Sequence, residues 1–178
     1  MTDEIKRRIH AFRNALVLAA DTRSHECFHM PRWNMELNSF PGGCCDLASN
    51  FLAQYLRDSD PTLQPDIIHM QATQSFRDEE KSTVFSHVIV ALGEEYIDLT
   101  LNQFTEYGRR VIIEDKFGTL HTLLSKIKQH EGTVTWRDIN IDSADEEGEA
   151  LYGWLRHTAD RLLTGSGTPI ASSGDNAE

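Results

Sequence analysis

Apolar residues first recur with a helical period over residues 3–20, where Ile5, Ile9, Phe12 and Leu16 fall at i, i+4, i+7 and i+11. Lys6, Arg7, Arg8 and Arg13 lie mostly off that stripe, which predicts an amphipathic helix with a basic outer face. Residues 21–43 lose the period and carry Pro31, Asn38, Pro41, Gly42 and Gly43, so irregular chain is expected there. The period returns over 44–58. Ala48, Leu52 and Tyr55, with Phe51 and Leu56, make one apolar face, and Asp58, Asp60 and Pro61 close the helix.

The pattern then shortens. Residues 65–71, with Ile67, Ile68 and Met70, suit a strand, and the polar stretch 72–82 reads as a loop. STVFSHVIVAL (82–92) and GEEYIDLTL (93–101) are β-rich segments meeting at Gly93, a β-hairpin pattern. VIIED (111–115) suits a further strand. Leu120, Leu123, Leu124 and Ile127 predict a helix around 118–130, and Val134, Trp136 and Ile139 a short strand. The acidic run DSADEEGE (142–149) opens a last helix through Leu163, with acids at its start and Arg156, His157 and Arg161 in its second half, as the helix dipole favours. Residues 164–178 are rich in Gly, Ser and Pro and read as a disordered tail. No internal repeat is present. The order predicts one α+β domain over 1–163, with N-terminal helices packed on an antiparallel sheet.

Composition narrows the function classes. The chain has 178 residues, 39% hydrophobic and 25% charged, the make-up of one soluble globular domain. Seventeen Lys+Arg against 28 Asp+Glu give a net charge of −11, which argues against nucleic acid or an anionic membrane as partner. No stretch approaches the ~20 apolar residues of a membrane span. The charged start MTDEIKRRIH is no secretory signal. Cys27, Cys44 and Cys45 are odd in number and two are adjacent, so they make no disulfide framework. A reducing compartment follows: a cytoplasmic protein, or an effector exported without a cleaved signal peptide.

The double cysteine is the first chemical signal. FPGGCCDLAS places a glycine pair directly before a cysteine in the first turn of a helix. Free N–H groups and partial positive charge at that end stabilise a thiolate. The glycines admit a substrate carbonyl close to the backbone, and the nucleophile's own N–H can serve an oxyanion hole. Asp46 opposes the thiolate in part. A second signal is His87, on a strand face with Phe85, Ile89 and Ala91. With a turn at Gly93-Glu94, His87 and Asp98 are same-face diagonal neighbours about 7–8 Å apart at the backbone. With a turn at Leu92-Gly93 they are directly opposite. Only a register of the other parity separates them. An aspartate among Tyr96, Ile97, Leu99 and Leu101 needs a partner, and His87 is the nearest candidate.

A thiol at a helix start, a histidine on a strand and an aspartate on the next strand resemble the papain-like superfamily of thiol enzymes, and within it the transglutaminase-like branch. The chain is also similar to a bacterial group with FPxGxC and IDxTxxQF segments, here Phe40–Cys45 and Ile97–Phe104. The resemblance covers residues 40–104. It implies a papain-like fold with Cys45 as nucleophile, His87 as base and Asp98 as the acid that orients it. Cys45 is preferred to Cys44 because Gly43, Cys45 and Ser49 meet the pattern Gly-x-Cys-x-x-x-Ser. Asn38, Ser39 and Gln103 are the candidates for an oxyanion-supporting side chain. The implied function is a thiol hydrolase or acyltransferase acting on a peptide, protein or acyl-amide substrate: a cysteine peptidase, deamidase or transglutaminase-like enzyme, with no cofactor.

Other constellations compete. If extended, His25, Cys27 and His29 point the same way, and Cys44 or Cys45 could complete a zinc site, although the spacing matches no standard zinc module. A vicinal Cys44–Cys45 redox pair would close a strained ring. The acidic run 142–149 lacks calcium-loop spacing. The alternative reading of the whole is a non-catalytic binding module, either a degenerate papain-like relative or a zinc-stabilised domain.

Overall fold

The computed structural model describes residues 1–21, 24–141 and 147–165. In chain order the elements are α1 (Asp3–Ala20), α2 (His25–Phe28), a π-helical turn (Trp33–Leu37), α3 (Cys45–Ser59), β1 (Pro65–Gln71), α4 (Gln74–Glu80), β2 (Ser86–Leu92), β3 (Glu95–Asp98), a 3₁₀ turn (Leu101–Gln103), β4 (Ile112–Asp115), α5 (Thr119–Gln129), β5 (Thr133–Arg137) and α6 (Glu147–Gly165). Residues 142–146 of the acidic run and the tail from 166 on, for which disorder is expected, lie outside the described residues.

The strands form one antiparallel sheet in the order β4-β3-β2-β1-β5. Alternation along the strands serves two cores. Ile67, Val88, Val90 and Ile97 pack with α1, α3 and α6, while Ile68, Met70, Ile89, Ala91 and Ile112 pack with Phe76 of α4 and the leucines of α5. The architecture is α+β, and the thiol-bearing helix α3 lies on the sheet against β1 and β2. Among the described residues no helix is long and apolar enough to cross a membrane.

Four local expectations are corrected. The stretch 72–82 contains α4: Thr73 Oγ1 caps it by accepting the Phe76 N–H at 3.2 Å, and one buried side chain, Phe76, anchors it. A single anchor leaves too faint a period to read. The 21–43 segment holds α2 and the π-helical turn, which buries Trp33 and Leu37. Ile139 falls beyond β5 and packs with the α1–α3–α6 core, while Trp136 is exposed.

The fourth concerns Arg13, which is buried, not solvated. Its Nε donates to Leu99 O (3.0 Å) and to Arg110 O (3.3 Å), and its guanidinium lies 4.3 Å over the Phe40 ring. Nη1 has no hydrogen-bond partner. Burial, helped by Arg110, brings its pKa down to about 10, which leaves it charged at neutral pH. Arg13 therefore ties the turn before Cys45 to the residue after Asp98. Arg13→Ala is expected to cost about 2–3 kcal/mol in urea unfolding, because the buried Leu99 carbonyl and the partly buried Arg110 carbonyl lose their donor and Phe40 loses its packing.

Candidate active site

The hairpin fixes the histidine and the aspartate. Leu92 pairs with Glu95 and Val90 with Ile97, so the turn is Gly93-Glu94 and Gly93 takes the left-handed backbone (φ +60°) that a tight turn needs there. Of the two same-face registers it is the one that makes His87 and Asp98 diagonal neighbours. β3 meets β2 at Val90–Leu92, so the first half of β2 has its strand neighbour on the β1 side. The 3₁₀ turn and the start of α3 meet His87 from the side that β3 leaves open.

His87 and Asp98 are both buried, and His87 Nε2 lies 2.5 Å from Asp98 Oδ2. The other carboxylate oxygen accepts from Thr100 N (2.7 Å) and Thr100 Oγ1 (3.3 Å). The Phe104 ring meets the imidazole edge-on at 5.3 Å. The Cys45 side chain is within hydrogen-bonding reach of the ring. Burial on its own pushes the imidazolium pKa down. The Asp98 carboxylate outweighs this with help from Cys45, and the pKa is raised to about 10. With Nε2 committed to Asp98, Nδ1 is the ring nitrogen that Asp98 does not hold, and Gln103 Nε2 lies 3.4 Å from it.

Cys45 begins α3, and Cys44 is its N-cap residue without a side-chain cap, so first-turn amides are left free for a developing negative charge. Cys45 is partly exposed, whereas Cys44 is buried with its thiol 3.5 Å from Gly42 O. Burial, with Cys45 and Glu36 nearby, pushes the Cys44 thiol up to about 12. Cys27 is likewise buried and pushed up to about 12.

Of the three oxyanion candidates, only Gln103 is drawn to the ring. Its Nε2 donates to Thr100 O (3.1 Å) and lies 3.4 Å from His87 Nδ1, while its Oε1 accepts from Gly43 N (3.1 Å). Gly43 holds φ +72°, a position that favours glycine. Gln103 thus straps the glycine turn to the histidine. Asn38 and Ser39 are not part of this cluster. They are exposed, and Ser39 Oγ donates to Asn38 Oδ1 at 3.2 Å. The extended metal-binding segment is also corrected: His25–Phe28 is helical, and positions two apart on a helix point apart. Among the described residues no three His, Cys, Asp or Glu side chains are placed to hold a metal ion.

Sequence reasoning missed the polar groups near Asp46 on the α3 side of the sheet. Asp46 Oδ1 accepts from Arg137 Nη2 (3.0 Å), and His69 Nε2 lies 2.9 Å from Ser86 Oγ. The available signal was parity: in PDIIHMQ, Ile67, His69 and Gln71 share one face.

The chain is 36% identical over 107 residues to the uncharacterised protein YuaU of Escherichia coli strain K12, a match covering 60% of this chain and 45% of that protein. It is 35% identical over 107 residues to YuaU of strain UTI89, with the same coverage. The match spans less than half the length of either relative. No family model matches the chain. No solved structure matches it.

Proposed function

We propose that the chain is a papain-like thiol hydrolase or acyltransferase that cleaves or exchanges an amide or acyl bond. One observation carries this reading: a buried imidazole is held on Nε2 by Asp98 and interacts with a partly exposed cysteine at a helix start. In the reaction, Cys45 Sγ attacks the substrate carbonyl carbon as a thiolate whose proton is held on His87 Nδ1. First-turn amides of α3 hold the oxyanion. The carbon–nitrogen bond breaks as Nδ1 returns the proton to the leaving amine. Water, or an amine acceptor, then attacks the thioester, gives its proton to Nδ1 and releases the thiolate. Water makes the enzyme a peptidase or deamidase, and an amine makes it a transglutaminase-type transferase. Asp98 fixes the tautomer throughout.

Limited iodoacetamide labelling followed by peptide mapping tests the assignment. Cys45 is expected to take nearly all of the label, with Cys44 and Cys27 reacting only after unfolding. Label concentrated on Cys44 would remove Cys45 from the nucleophile role.

A further inference from the structure

We infer that the sheet face in front of the first turn of α3 is a carboxylate-binding subsite, so that the substrate carries an anionic group close to the bond that Cys45 attacks. The inference rests on the thiol reading above and adds the substrate's charge to it.

The strand register places the donors. His69 pairs with Val88 on one side and with Thr135 on the other, Gln71 pairs with Ser86, and Ile67 pairs with Arg137. Side chains paired directly across an antiparallel ladder share a face, so His69, Ser86, Thr135 and Arg137 all stand on the face that carries α3. The helix is docked there, because Ser49 Oγ donates to Val88 O at 2.9 Å. Val88 is the direct partner of His69, and Ser86 lies one same-face step further, next to His87 in the chain. Asp46 follows Cys45 in the first turn of α3 and reaches Arg137, which ties one end of this patch to the proposed nucleophile, while Ser86 precedes His87 but faces the other side of the sheet from it.

The patch is rich in donors. Arg137 has a planar fork of five N–H groups, of which one is given to Asp46. His69 and Ser86 are half-buried and already oriented by their mutual bond. Burial and nearby Arg137 lower the His69 pKa, which keeps the ring neutral and able to donate from one nitrogen. Among the described residues Asp46 is the acid bonded to Arg137, and Glu36 lies near Asp46. The Asp46–Arg137 pair is about half exposed on both sides, at 45% and 56%, and such pairs are held weakly. An incoming carboxylate can share the guanidinium fork with Asp46 or displace it at little cost. The net charge of −11 makes the patch more telling, since the protein as a whole repels anions.

Two small alkylating reagents that differ by one charge test this on the full chain at fixed ionic strength. Iodoacetamide should label Cys45 at a rate linear in reagent. Iodoacetate should label it at a rate that saturates, as a bound complex requires and a merely attractive field does not. Arg137→Gln should make the iodoacetate rate linear and lower it about tenfold at low reagent, the worth of one charge-assisted hydrogen bond. It should leave the iodoacetamide rate within about twofold. His69→Gln and Ser86→Ala should weaken saturation in the same direction, and Asp46→Asn should strengthen it. If iodoacetamide labels Cys45 selectively but iodoacetate shows no saturation, the subsite is overturned and the thiol reading stands. If iodoacetamide does not select Cys45, both fall together.

Discussion

His87→Leu is expected to lower folding stability by about 3–5 kcal/mol near pH 6.5, the cost of leaving one member of a buried ion pair without its partner. Asp98 keeps only the bonds from Thr100 N and Oγ1, and nothing else replaces the imidazole contact at 2.5 Å. The loss should depend on pH in a direction set by the histidine. Its pKa in the fold is raised to about 10 by Asp98, against the pull of burial, whereas an unfolded histidine titrates near ~6.5. Below the unfolded value the pairing stabilises the fold in full. As pH rises through the folded value the proton is lost and the contribution disappears. The gap between wild type and variant, from urea unfolding, should therefore be widest near pH 6 and narrow steadily towards pH 10. The double variant His87→Leu, Asp98→Leu should recover much of the loss, since an apolar pair removes the uncompensated charge. A gap that is small and flat with pH would mean that the imidazole is not held as an ion pair.

The same residues show what the sequence could carry. His87 and Asp98 were legible together because period-two alternation needs only a parity, and both tight turns compatible with Gly93 give the same parity. Cys45 was legible because a glycine pair and a helical period meet at one point. Gln103 was harder, since its contacts depend on a 3₁₀ turn that ends the hairpin early and lets the chain fold back on Gly43. Arg13 looked like a solvated helix residue because its partners are carbonyls of Leu99 and Arg110, 86 and 97 positions away. His69 and Arg137 were hidden for a related reason. They meet only when β5 pairs with β1 on the far side from β2, a long-range choice that neither strand records. Local periods thus disclosed the proposed reacting groups, while the groups around them depend on tertiary pairing.

Asp98→Asn is expected to reduce the alkylation rate of Cys45 at pH 6 by about 100-fold, while leaving the rate above pH 9 nearly unchanged. The geometry says why an isosteric change matters. Asp98 Oδ1 accepts from both Thr100 N and Thr100 Oγ1, so an asparagine must keep its carbonyl oxygen on that side. Its NH₂ then faces His87 Nε2, where a ring N–H would clash with it. The ring can meet a donor there only by moving its proton to Nδ1, the nitrogen that has to accept from the thiol. The carboxylate that does most to raise the histidine pKa is lost as well, and burial, opposed now by Cys45 without Asp98, favours the neutral ring. Cys45 must in that case ionise without an imidazolium beside it. A cysteine without a neighbouring imidazolium is a weaker nucleophile on the acid side, which gives the loss its direction. The measurement is the iodoacetamide rate at Cys45 from pH 5 to 10 for both proteins. Wild type should keep a reactive shoulder on the acid side, and Asp98→Asn should show a single rise in the alkaline range. Superimposed profiles would detach Asp98 from the thiol and leave His87 acting alone.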